Sequence, residues 1–105
     1  MTTRIESVAG SIRVTGEMTV YTAGQIKQAL VDAVTASPAR VQLDLAGVSD
    51  FDTAGVQLVL LAHREALASD RQFHLIAESN IVRDVLTLFG AFGMLKDAPV
   101  AENCP

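Results

Sequence analysis

The amino-acid sequence predicts an α/β fold: a mixed, mostly parallel sheet of about four or five strands with helices on one face, in the order ββαβαβα. Three observations carry that expectation. Short runs of alternating apolar and polar residues are interleaved with longer runs whose apolar residues recur at helical spacing. Strand-helix-strand units of this length make right-handed crossovers, so the second, third and fourth strands are expected to be mutually parallel. The strands also alternate, whereas strands covered by helices on both faces read as continuous apolar runs; one face of this sheet is therefore expected to be left to water or a partner.

The elements follow in order. Ile5 to Val8 and Ser11 to Thr15 read as a hairpin joined through Gly10-Ser11, with Ile12 and Val14 alternating against Arg13 and Thr15. Thr22-Ala23-Gly24-Gln25 has the form of a capping box and should start a helix. Its buried face is expected to carry Ile26, Leu30 and Val34, opposite Lys27, Gln28 and Asp32, and Ser37-Pro38 should end it. Val41 to Leu45 alternates as the central strand, which is expected to end in a tight turn that delivers Asp52 and Thr53 to a second helix. Small residues crowd the start of that helix, and Val56, Val59, Leu60, His63 and Leu67 form its expected apolar stripe. Phe73, Leu75 and Ala77 alternate with His74 and Ile76 as a fourth strand. Ser79-Asn80 should cap a third helix carrying Ile81, Val82, Val85, Leu86 and Phe89, with Gly90 as its stop. Leu88, Phe89, Phe92, Met94 and Leu95 cluster around Gly90 and Gly93, and core packing is the expectation for them. Residues 95–105 are expected to form a weakly structured tail or a short edge strand.

Length and composition bound the function. A chain of 105 residues suits one domain, here 1–105, and 50% hydrophobic residues against 19% charged argue for a folded core. Eight basic and twelve acidic side chains give a net charge of -4, and no basic run exists to neutralise a row of phosphates, so nucleic acid is not expected as a partner. The apolar stretch Val56 to Ala62 is far short of the ~20 residues a membrane span needs. The first residues, Met1-Thr2-Thr3-Arg4, hold no apolar targeting core, and a cytoplasmic location is the expectation. Cys104 has no second cysteine to pair with and is read as a tail residue.

Chemistry can be aimed where the central strand meets the second helix. A helix start presents unpartnered N–H groups and a partial positive charge, which suit an anion, including a phosphate on its own first residue. Thr53 is placed to carry one, and phosphorylation would add ~1.5 to 2 negative charges beside Asp52. Taken alone, Asp52-Thr53-Ala54-Gly55 predicts no more than a helix cap. A phosphoaspartate of the receiver type would need a carboxylate pair after the first strand for Mg²⁺ and a lysine after a later strand; the sequence offers neither. His63 and His74 stand apart from each other and from Cys104, so no metal site is expected. No nucleophile with a base and an orienting partner, and no Gly-rich phosphate loop, can be picked out, so the chain is not expected to be an enzyme.

The run Leu43-Asp44-Leu45-Ala46-Gly47-Val48-Ser49-Asp50-Phe51-Asp52-Thr53-Ala54-Gly55-Val56-Gln57-Leu58 closely resembles the central segment of STAS domains, the family that includes the bacterial anti-sigma factor antagonists. Val14-Thr15-Gly16-Glu17-Met18 resembles the family's Gly-Glu-Leu segment, and the likeness reaches from Ile12 to Phe89. The resemblance implies a bacterial regulatory module that works by binding other proteins and needs no cofactor. In the antagonists the phosphorylated hydroxyl follows the Asp of this turn, which maps onto Thr53, with Asp52, Ala54 and Gly55 completing the turn. The implied partners are a serine/threonine protein kinase of the anti-sigma type and a phosphatase. Related members imply alternatives: the STAS subunit of a bacterial phospholipid ABC transporter, bound to its ATPase through an unmodified Thr53, or an adaptor of a chemotaxis-type sensory kinase. The family's usual binding edge implies a partner-facing rim of Ser49, Asp50, Phe51 and Gln57, followed by Thr19 to Tyr21. The sequence departs from the pattern in having Thr53 for the commoner Ser, Ala54 for a second hydroxyl, and Thr19 where an acidic residue often stands. The C-terminal helix of many members is expected to be truncated or absent.

Overall fold

The computed structural model describes residues 3–101. Strands β1 (Arg4–Val8), β2 (Ser11–Met18), β3 (Arg40–Phe51) and β4 (Gln72–Glu78) form one sheet in the order β1-β2-β3-β4. β1 runs antiparallel to β2, and β2, β3 and β4 run parallel, the arrangement expected of a hairpin followed by two crossovers. The hairpin turns at Ala9 and Gly10, both with positive φ, which matches the right-handed twist of its strands.

Helices α1 (Ala23–Thr35), α2 (Thr53–Ala68), α3 (Asn80–Leu88) and α4 (Phe92–Ala101) follow β2, β3 and β4. Ile12, Val14 and Met18 of β2, Val41, Leu43 and Leu45 of β3 and Phe73 and Leu75 of β4 share one core cluster with Ile26, Leu30 and Val34 of α1 and Val56, Val59 and Ala62 of α2. Strand side chains alternate between faces, so this core lies on one side of the sheet. The other side carries Arg13, Thr15, Gln42, Asp44 and His74, with an Arg13–Asp44 ion pair at 3.4 Å.

Several local expectations are corrected. Thr22 precedes α1, but no capping box forms: its hydroxyl donates to the Glu17 carbonyl (3.0 Å) and accepts from the Thr19 N–H (3.0 Å). The central strand continues six residues past Leu45, to Phe51, so its tight turn lies at Asp52 itself. On α2 the buried stripe is Gly55, Val56, Leu58, Val59, Ala62 and Ala66; Leu60 and His63 are half-buried and Leu67 is exposed. On α3, Val82 and Leu86 are buried while Ile81 and Phe89 are exposed.

Helix ends obey backbone rules. Gly90, at φ 72°, lets Ala91 N–H reach the Leu86 carbonyl (2.9 Å) and closes α3; Asp70, at φ 60°, does the same for α2 through Arg71 N–H and the Ala66 carbonyl (2.8 Å).

Where the sequence left a weak tail or edge strand, and a truncated or absent C-terminal helix, the chain forms α4, which Leu95 anchors in the core and Lys96 ties to Glu78 of β4 (3.0 Å). Leu88, Phe89 and Met94 are exposed, so core packing holds for Leu95 and not for them. Cys104 lies outside the described residues. Among the described residues, no helix is long and apolar enough to cross a membrane, and no group of three His, Cys, Asp or Glu could hold a metal.

His63 stacks edge-on against Phe73, ring centroids 5.3 Å apart, and burial pushes its imidazole below the usual 6.5. The unfolded chain therefore takes up a proton near 6.5 that the folded chain accepts only at lower pH. Its contribution is present above 6.5 and is lost as pH falls through the folded value. Urea unfolding between about pH 8 and pH 5.5 should show this loss, and His63→Gln should flatten the slope. An equally steep slope in the variant would remove His63 as its source.

Candidate functional site

The site forms where β3 ends and α2 begins. Asp52 is the N-cap of α2, in extended conformation, and its Oδ1 accepts from the N–H groups of Ala54 (2.9 Å) and Gly55 (3.3 Å). Its Oδ2 accepts from the N–H of Val20 (3.1 Å), in the loop between β2 and α1. One carboxylate thus fixes the first turn of α2 and pins the Val20–Tyr21 loop beside it. Asp52 N–H approaches the Met18 carbonyl (3.4 Å), which adds a backbone link between the same segments.

Gly55 makes this close approach possible. A β-carbon there would lie 2.5 Å from the Met18 carbonyl oxygen and 2.7 Å from two carbons of the Phe51 ring. Phe51 is therefore a core residue, 6% exposed, and not part of the partner-facing rim expected from sequence. Thr19 is also corrected: it is 8% exposed and organises its loop from within, its carbonyl accepting from the N–H groups of Thr22 (3.0 Å) and Ala23 (2.9 Å).

The remaining rim residues are at the surface. Ser49, Asp50, Thr53 and Gln57 are exposed, and Ala54 is half-buried. Thr53 is the first residue of α2, and none of the hydrogen bonds around Asp52 involves its hydroxyl. Val20 and Tyr21, within the Thr19 to Tyr21 stretch expected next on the rim, are 66% and 87% exposed, and the bond from the Val20 N–H to Asp52 holds them next to the start of α2. The arrangement presents a hydroxyl and two apolar side chains on a braced backbone.

Sequence reasoning also missed a groove of about 310 Å³ between α1 and α2, lined by Ala23, Gly24, Lys27, Ala54, Leu61 and Arg64 among others. The small residues in the first turns of both helices were its visible signal.

The fold as a whole is similar to solved structures of anti-sigma factor antagonists. The anti-sigma factor antagonist SpoIIAA in its unphosphorylated form is 26% identical over 87% of this chain and 83% of its own, with a TM-score of 0.67. An anti-sigma factor antagonist from Mycobacterium paratuberculosis is 26% identical over 85% of this chain and 77% of its own, with a TM-score of 0.70. The Bacillus cell fate determinant SpoIIAA in its phosphorylated form, 20% identical over 99% of this chain and 100% of its own, shares the fold at a TM-score of 0.65. No curated protein matches the chain. The family model described as "Mlab, STAS domain" matches residues 1–96, and the chain belongs to the STAS domain family.

Proposed function

We propose that the chain is a regulatory protein-binding module whose complex with a partner is set by the state of Thr53. The observation that carries this reading is the exposed Thr53 at the first position of α2, beside a carboxylate already committed to three backbone N–H groups. The two SpoIIAA structures, one of the unphosphorylated and one of the phosphorylated form, support a switch of this kind. A serine/threonine kinase of the anti-sigma type would transfer the γ-phosphoryl group of ATP to the Thr53 oxygen; ADP leaves, and the hydroxyl proton goes to the kinase's base. A phosphatase reverses the step, and the module itself catalyses nothing. The cytoplasm, where ATP is available, suits the exchange.

The phosphate would act on binding through solvation. A partner that covers Val20 and Tyr21 would have to strip water from a neighbouring dianion, or meet it with a cation. Ser49, Asp50 and Gln57 complete the rim such a partner would touch.

A second reading rests on the same patch. A hydroxyl beside two exposed apolar side chains also suits a permanent contact, as in a STAS subunit on an ABC transporter ATPase or an adaptor on a sensory kinase.

An affinity pull-down of wild type, Thr53→Ala and Thr53→Glu from the native cell, with intact mass of the bait, tests both. The switch predicts one added phosphate on wild type and a kinase recovered by wild type and Thr53→Ala, with recovery falling about tenfold or more for Thr53→Glu. An ABC ATPase recovered on unmodified Thr53 would replace the switch with the permanent contact.

A further inference from the structure

The geometry points to the groove between α1 and α2 as a docking site for an acidic amphipathic helix of a partner protein. The inference deepens the protein-binding reading above and rests on it, but not on the state of Thr53. The groove of about 310 Å³ runs on along α2 into a second hollow of about 330 Å³ that shares Gln57, Leu61 and Arg64 and adds Leu60. Ala23 and Gly24 on α1 and Ala54 on α2 open it, because their side chains are too small to fill the space between the helices. Leu60 and Leu61, half-buried, supply an apolar wall.

Charge decides the occupant. Lys27 and Arg64 line the groove and are exposed, and neither hollow has an acidic residue in its lining, although the chain as a whole carries -4. Among the described residues the ion pairs are Arg13–Asp44 and Lys96–Glu78, so both groove cations are available to a partner. Gly24 lines the groove, and among the described residues its N–H has neither a carbonyl acceptor in the preceding loop nor a cap from the Thr22 side chain. A trough with an apolar wall and cations on both helices fits a helix with an apolar stripe and carboxylates flanking it. An anionic membrane fits less well, because lipid-surface recognition draws on about four to eight clustered cations.

A display library of helical peptides about 15 residues long, selected on the full-length protein, tests the assignment. Each recovered peptide is then measured by anisotropy on wild type, the Lys27→Glu/Arg64→Glu double variant and Arg83→Glu, an exposed charge on α3 that lines neither hollow, and wild type is mixed with phosphatidylglycerol vesicles. The expected peptides carry a Leu- or Phe-type stripe flanked by Asp or Glu, bind the double variant about tenfold more weakly, and bind Arg83→Glu as they bind wild type. Recovery of basic or neutral peptides, binding unchanged by the double reversal, or vesicle binding that the reversal abolishes would overturn the assignment. Because Thr53 lines neither hollow, failure of the groove leaves the Thr53 reading standing, and the pull-down above can fail without touching the groove.

Discussion

Gly55→Ala is expected to destabilise the protein by about 2 kcal/mol and lower its Tm by about 10 °C. Two effects of opposite sign meet at this residue. Alanine in a helix is favoured over glycine by about 1 kcal/mol. Against that, the added methyl would sit 2.5 Å from the Met18 carbonyl oxygen and 2.7 Å from the Phe51 ring. Neither neighbour can retreat cheaply: Met18 ends a strand paired with β3 and is fully buried, and the Phe51 ring is packed in the core. Overpacking of this kind costs about 1–3 kcal/mol, and a clash with backbone belongs at the top of that range or beyond it, so the clash wins. Gly24→Ala is the control. Among the described residues nothing lies within 4 Å of its β-carbon position, so the propensity gain should appear there unopposed, as unchanged or slightly raised stability. Thermal melts of both variants decide the matter, and a Gly55→Ala protein as stable as wild type would show that α2 can shift away from β2.

Most of the architecture was legible because local signals and burial agree along most of the chain. Val41 to Leu45 alternates, α1 buries Ile26, Leu30 and Val34 as its spacing requires, and Asp52 caps the helix that its residue type suggests. Reading failed where tertiary contacts reset the local pattern. The second half of β3 buries Leu45, Val48 and Phe51, every third residue, because its pairing with β2 slips between Arg13 and Thr15 and again between Gly16 and Glu17. A period of two cannot find such a strand, so alternation gave no sign that Phe51 is buried, and the family resemblance alone put it on the rim. Thr22 has the right type for a capping box, but β2 ends so close to α1 that its hydroxyl is drawn to the Glu17 carbonyl instead. Gly93 and Pro99 argue against a helix by propensity, yet α4 forms with Leu95 in the core and Lys96 on Glu78, contacts that no local pattern records.

The same contrast divides the site. Thr53 and Asp52 were legible because a helix start demands a cap and exposes its first residue. The Val20–Tyr21 loop was only partly so, because its place is set by a backbone N–H, and any residue except proline could supply that donor.

Substitutions at Asp52 should separate its two tasks. Asp52→Ala removes the acceptor for Ala54, Gly55 and Val20 together, and an N-cap of this type is worth about 1 kcal/mol and up to about 2. Asp52→Asn keeps one oxygen. If that oxygen faces Ala54 and Gly55, the cap survives and the amide NH₂ is turned toward the Val20 N–H, donor against donor. Flipping the amide would restore Val20 at the expense of two bonds on α2, so the first orientation is favoured. Asp52→Asn is therefore expected to cost well under 1 kcal/mol while releasing the loop, whereas Asp52→Ala costs more and frays α2 as well. Amide hydrogen exchange resolves the difference: Val20 should lose protection in both variants, and Ala54 and Gly55 only in Asp52→Ala. Partner binding should follow Val20 and not Tm, falling in Asp52→Asn although the fold is nearly as stable as wild type. If Asp52→Asn instead keeps both Val20 protection and full binding, the carboxylate is only a cap, and the loop owes its position to the turn around Thr19 and Thr22.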